Sequence, residues 1–174
     1  TQDPLTGQLD IYHTHDQCDN WSASSIENGN QDLGPLASAV YLEFLDEQNG
    51  WVVVKQISSS NFSVGRLYRT NDGGKTWEEL AVPLGEPVHF LDQNRGWIAG
   101  GPAGDELYRS EDGGRTWQQE QIYDRISRPA DHAFVHLPIF IDDQNGVLPV
   151  KVVRANNAQM EIFTTRDSGA NWES

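Results

Sequence analysis

The sequence predicts an all-β chain assembled from repeated four-stranded units, and three observations carry that expectation. An eight-residue phrase ending in Trp is written three times, over 70–77, 110–117 and 165–172. A second phrase, Phe-Leu-Asp or Phe-Ile-Asp followed by a polar turn and Gly, runs ahead of each copy from Phe44, Phe90 and Phe140. Between these landmarks lie short apolar stretches rich in Val, Ile, Tyr and Trp, bounded by Gly and Asn, with no sustained helical periodicity.

Each unit opens with a strand such as "VYLEFLD" or "EPVHFLD", whose apolar residues alternate or cluster before a polar Asp-x-x-x-Gly turn. "GWVVVKQI" and "GWIAGG" read as the second strand, because β-branched and aromatic side chains suit a pleated surface. The third strand is "GRLYRT", "DELYRS" or "MEIFTTR", and the fourth follows the Asp-Gly-Gly turn as "KTWEEL" or "RTWQQEQI". "LASAVYLEFL" comes nearest to a helix, but its β-branched and aromatic content merges it into a first strand.

Successive units open 46 and 50 residues apart (90 − 44 and 140 − 90). From opening phrase to the Asp of the Trp-phrase the step is 28, 22 and 27 residues, so the middle of each unit holds a loop of variable length. Four-stranded units at a period of about 40 to 50 residues are the pattern of β-propeller blades. The chain divides into units at 38–84, 85–130 and 131–174, the last truncated, after a segment, 1–37, available to contribute strands. Propellers close with about four to eight blades. Three predict a partial propeller or a fragment, with self-association through open blade edges as a consequence.

The Trp-phrase explains itself as a turn. Gly74, Gly114 and Gly169 supply the positive φ a tight hairpin needs. The carboxylates of Asp72, Asp112 and Asp167 are placed to accept the turn's own N–H groups, and Thr70, Ser110 and Thr165, two residues earlier, add a hydroxyl. Thr76 and Thr116 follow, and Trp77, Trp117 and Trp172 pin the turn to the sheet by burying a ring. A motif written three times argues for structure, not for a single active centre. The same repetition makes Arg69 and Arg109 rim residues, salt-bridged or solvated.

Charge and composition exclude several function classes. The 26 acidic residues outnumber the 12 basic ones for a net charge of −14, without the basic stripe that nucleic-acid binding requires. No run approaches the roughly 18 apolar residues of a membrane span, so no membrane insertion is expected. The N-terminal "TQDPLTGQLD" lacks a secretory h-region, which fits a cytosolic chain or one whose signal is already removed. Cys18 is the sole cysteine, so no internal disulfide forms.

The eight-residue phrase resembles the Asp-box, or BNR repeat, Ser/Thr-x-Asp-x-Gly-x-Thr-Trp. The copies at 70–77 and 110–117 fit it fully, and the third departs only at Asn171. With the companion Phe-Leu-Asp-x-x-x-Gly-Trp phrase, residues 38–174 are similar to the propellers of the photosystem II stability and assembly factor family and its bacterial relatives. That resemblance implies a box joining the third and fourth strands of each blade, a non-catalytic binding and assembly role, no cofactor, and an extracytoplasmic location. It also implies a protein partner, with a glycan as the second choice. The assembly factors carry a basic contact patch, whereas this chain is strongly acidic.

The rival expectation is a fragment of a glycoside hydrolase, sialidase-like or of another Asp-box type, with catalytic residues partly outside these residues. A sialidase needs a convergent arginine triad, a Tyr nucleophile and an acid, and only "YDRISRP" faintly echoes the phrase found near the start of such enzymes. Ligand contacts are expected from the variable stretches 55–66, 101–106, 121–136 and 151–160. The non-repeated 123–136 gathers Asp124, Arg125, Arg128, Asp131, His132 and His136 and is the candidate ligand loop. A last constellation, His13, His15, Asp16 and Cys18, offers candidate metal ligands because His-x-His places two imidazoles on one side of a strand. The expectation there remains a polar segment with no metal.

Overall fold

A computed structural model of the chain describes residues 9–14, 16–26, 37–56, 63–126, 130–155 and 157–174. Strands β1 (Leu9–His13) and β2 (Ser22–Ile26) form a hairpin. Next come β3 (Ala37–Phe44), β4 (Gly50–Gln56), β5 (Gly65–Thr70) and β6 (Glu78–Leu80), an antiparallel meander in chain order that forms the first full unit. The second unit repeats it with β7 (Val88–Phe90), β8 (Gly96–Gly100), β9 (Glu106–Ser110) and β10 (Gln118–Glu120). The all-β expectation holds, and the one helical turn among the described residues is the short 3-10 element Tyr123–Arg125.

The third unit varies the plan. Its first strand is split into β11 (His132–Val135) and β12 (Ile139–Phe140), which both pair with β13 (Gly146–Arg154). Pro138 lies in the gap and has no N–H to give the ladder. β14 (Asn157–Thr165) pairs with β13 along its whole length, and the fourth strand is reduced to one bridge, Thr164 to Glu173. Of the stretches expected to be variable loops, 151–160 is therefore largely strand, and 121–136 ends in the short strand β11. Residues 151–160 form the end of the β13–β14 hairpin, and His132 stands inside β11. Residues 57–62 of the 55–66 stretch lie outside the described residues.

Sheets stack face to face, and the core is the set of layers between them. Trp51, Val53 and Leu67 pack toward Val88, Phe90 and Ile98 of the second unit. Trp97 and Leu107 pack toward Leu148, Val150, Val152 and Phe163 of the third. On the opposite face of the first unit, Val52, Val54 and Tyr68 meet Leu9 and Ile26 of the hairpin. Both faces of β4 are thus covered, which explains why "WVVV" reads as a continuous apolar run rather than an alternation.

One spoke repeats between units. Trp51 stacks on Phe90 at 3.7 Å, and its indole N–H donates to the Gly113 carbonyl of the next unit's turn at 3.0 Å. Arg69 lies over the Trp51 ring at 5.7 Å and donates to the Gln93 carbonyl at 3.2 Å. Gly113 is required here: its φ is +76°, and a Cβ would lie 2.3 Å from the Arg69 guanidinium. Arg109 sits likewise over Trp97, at 5.9 Å. These arginines were expected as rim residues, salt-bridged or solvated; Arg109 is ion-paired with Glu111 at 2.9 Å, and both guanidinium groups also lie in the joint between units, where the tryptophan before the next turn offers them a face.

Candidate functional site

The three boxes form one hydrogen-bond pattern. Asp72 Oδ1 accepts from the Thr70 hydroxyl at 2.8 Å, from Lys75 N at 3.0 Å and from Thr76 N at 2.9 Å, while Oδ2 accepts from the Thr76 hydroxyl at 2.6 Å. The Thr70 hydroxyl in turn accepts from Gly74 N at 2.8 Å. Ser110, Asp112, Gly114 and Thr116 repeat this geometry. In the third copy Thr165, Asp167 and Gly169 do the same, and the Asn171 side chain donates to Asp167 Oδ2 at 2.8 Å where threonine donated before. Trp77 and Trp117 close their turns by donating to the Gly74 and Gly114 carbonyls. With the oxygens so occupied, hydrogen bonding holds Asp72 down at about 2 and lowers Asp112 and Asp167 as well.

The segment read as a metal candidate is a fourth box. Asp16 Oδ1 accepts from the Thr14 hydroxyl at 2.8 Å and from Asn20 N at 2.9 Å, and Oδ2 accepts from the Asn20 side chain at 2.6 Å. Cys18 N donates to the Thr14 hydroxyl at 3.1 Å. Gln17 and Cys18 adopt φ of 57° and 77°, as Gly73 and Gly74 do at 75° and 84°. Asp16 is held at about 2, chiefly by the Asn20 side chain. Among the described residues no group of three metal-ligating side chains converges, and His15 lies outside them. The signal was present as Thr14-x-Asp16-x-x-x-Asn20-Trp21, with Asn in the place it takes in the third box and Cys in the glycine slot. The hairpin β1–β2 therefore holds the place of strands three and four of a preceding unit.

Since the boxes are consumed by their own turns, a binding site is sought where the repeat breaks. Leu67 pairs with Leu80 in the first unit, and its counterpart Leu107 pairs with Glu120 in the second. A carboxyl group thus stands in a leucine slot. Between the first two units the groove is spanned by an ion pair, Arg115 to Glu78 at 2.8 Å. Between the second and third units those positions hold Ala170 and Gln118, and a groove of about 380 Å³ opens, lined by Arg109, Glu111, Thr116, Glu120, Gln121 and Arg125 among others.

Within it, burial raises Glu120 from 4.5 to about 7, with Arg109, Arg125 and the Trp172 indole pulling the other way. Arg109 pairs with Glu111 at 2.9 Å, and Arg125 donates to the Trp172 carbonyl at 3.0 Å. Of the six residues of the expected ligand loop, Arg125 reaches this groove. Asp124 is exposed on the 3-10 turn; Asp131 accepts from Ala155 N and ties down the β13–β14 turn. His132 packs against Phe134 in β11, the His136 N–H donates to the Pro149 carbonyl, and Arg128 lies outside the described residues. Glu120 was missed because its burial follows from the seating of the third unit, although its register with Leu80 was readable once the boxes were superposed.

Stacked four-stranded meanders, each closed by a box on its last hairpin, define this as a BNR-type β-propeller protein. A family model described as "Photosynthesis system II assembly factor YCF48" matches residues 30–174, and the chain belongs to that family. Among solved structures it is similar to YCF48 from Cyanidioschyzon merolae, with 15% identity over 98% of this chain and 50% of that one and a TM-score of 0.54. A structure described as YCF48 bound to D1 peptide is 24% identical over 80% of this chain and 41% of that one, with a TM-score of 0.46. The chain spans half or less of the length of these two relatives. No curated protein matches it.

Proposed function

We propose that the chain is a non-catalytic, protein-binding assembly scaffold that receives its partner in the groove between the second and third units. One observation carries the placement: at this joint, among the described residues, the rim ion pair is replaced by Ala170 and Gln118 and a half-buried carboxyl takes a leucine slot. Family membership over residues 30–174 supports the assembly role. The glycosidase alternative is not favoured, since the family is one of assembly factors and the recurring carboxylates are engaged by their own turns. An extracytoplasmic, bacterial setting goes with this reading on the strength of the resemblance, and cell fractionation tests it.

The experiment is a side-by-side screen of the folded chain on peptide and glycan arrays, with the D1 peptide of the solved relative among the probes. Saturable peptide binding lost in Arg125→Ala supports the proposal. Binding confined to glycans, or peptide binding indifferent to Arg125, overturns it.

A further inference from the structure

Glu120 is the odd group of the groove between the second and third units. Its counterpart Leu80 packs on the core between the first two units, whereas Glu120 brings a carboxyl into a half-buried position. Around it stand Arg109 on β9, Glu111 in the turn that follows, Arg125 on the 3-10 turn, and Asp167 and Trp172 of the third box. Each of these groups belongs to the second unit, to the connector after it or to the third box. Arg109 and Glu111 pair with each other at 2.9 Å. Arg125 gives an N–H to the Trp172 carbonyl, and among the described residues neither Arg125 nor Glu120 joins an ion pair. The Trp172 indole also departs from the repeat. Trp77 and Trp117 donate to their own box carbonyls, while the buried Trp172 N–H makes no bond to its turn and interacts with Glu120 instead.

We propose that the groove is proton-gated: Glu120 takes up a proton from solvent when a carboxylate of the partner seats against Arg125. This deepens the groove reading above and rests on it. The charges decide the class of ligand. With Arg109 matched by Glu111, Arg125 is the cation left without a carboxylate, and a guanidinium offers a carboxylate two parallel N–H groups. A lysine of the partner would meet Arg125 as a like charge. An ionised Glu120 would repel an arriving carboxylate in the same way, whereas protonated Glu120 removes that repulsion and has an O–H to donate. Burial favours the protonated form and raises the group to about 7, while Arg109, Arg125 and the Trp172 indole oppose the rise and leave it poised to titrate.

Acetate is the probe, titrated into the 174-residue chain at about pH 6 and about pH 8.5 and followed by the backbone amide resonances of 118–125. Saturable shifts are expected. Their dissociation constant should rise at least about tenfold between the two conditions, because only the protonated fraction of Glu120 is competent. Glu120→Gln keeps the shape and cannot ionise, so it should bind acetate equally at both pH values, and Arg125→Ala should lose the binding. Equal affinity of the parent chain at the two pH values overturns the proposal, as does an absence of saturable shifts at the lower one. So does a folded Glu120→Gln chain that still weakens at high pH, and the parent chain alone decides the matter if a variant fails to fold. Array peptides carrying the carboxylate on a side chain or at a free C-terminus distinguish the two sources, and either supports the proposal. Peptide binding through Arg125 that ignores pH removes the gate and leaves the scaffold reading in place. Proton-linked acetate binding without any Arg125-dependent peptide supports the gate and removes a peptide as its occupant.

Discussion

A box aspartate accepts three or four hydrogen bonds from its own turn, and this fixes what its loss does. Asp112→Ala should lower stability by about 1 to 3 kcal/mol through stranded donors, measured by thermal unfolding. The sign with pH follows from the lowered carboxyls. A folded-state value below the ordinary 3.8, as for Asp72 at about 2, gives stability that is complete above 3.8 and is lost as pH falls toward 2. Glu120 works the other way. Its value rises from 4.5 to about 7, so the fold is favoured while the group is protonated and loses stability as pH climbs from 4.5 through 7. Glu120→Gln should flatten that part of the unfolding-temperature profile, and an unchanged slope would assign it to another group. Cys18 holds a left-handed φ of 77° at the glycine slot, so Cys18→Gly should stabilise the hairpin by up to about 1 kcal/mol. At this scale the three regular boxes were legible because their residue types state their geometry. The fourth was not, because Cys18 takes the glycine slot that marks the other three and the nearby histidines suggested a different chemistry.

At the scale of elements, strand type and order were legible in the alternation of apolar stretches and Gly-bearing turns. Lengths were less so: β13 and β14 extend through residues whose polar content reads as loop, since a long hairpin is held by its ladder rather than by propensity. The joint between units was legible only in part. "GWVVVKQI" and "GWIAGG" were legible as strands, but the stacking of Trp51 on Phe90 and the seat of Arg69 depend on a neighbouring sheet. That joint yields a prediction. A Cβ at Gly96 would lie 2.4 Å from the Phe90 ring, which cannot withdraw because Trp51 stacks against it at 3.7 Å. Gly96→Ala should therefore cost about 1 to 3 kcal/mol, an overpacking effect that chemical denaturation measures. Repair by a second change, Phe90→Leu, would confirm the ring as the obstacle.

Over the whole molecule, the division of labour is between turns that hold the sheets and a groove where the repeat departs from itself. That departure was half legible. Arg125 belongs to the non-repeated 123–136 and was a candidate from the start, while Glu120 sits in a strand that looks ordinary until the third unit is seated beside it. The most direct test is the affinity, by fluorescence anisotropy, of the tightest array peptide for the parent chain, Arg125→Ala and Asp112→Ala, each corrected for its folded fraction. The account predicts at least about a tenfold loss for Arg125→Ala and an undiminished affinity for folded Asp112→Ala. Equal binding by Arg125→Ala, or loss of binding by folded Asp112→Ala, would contradict it and move recognition from the groove to the boxes.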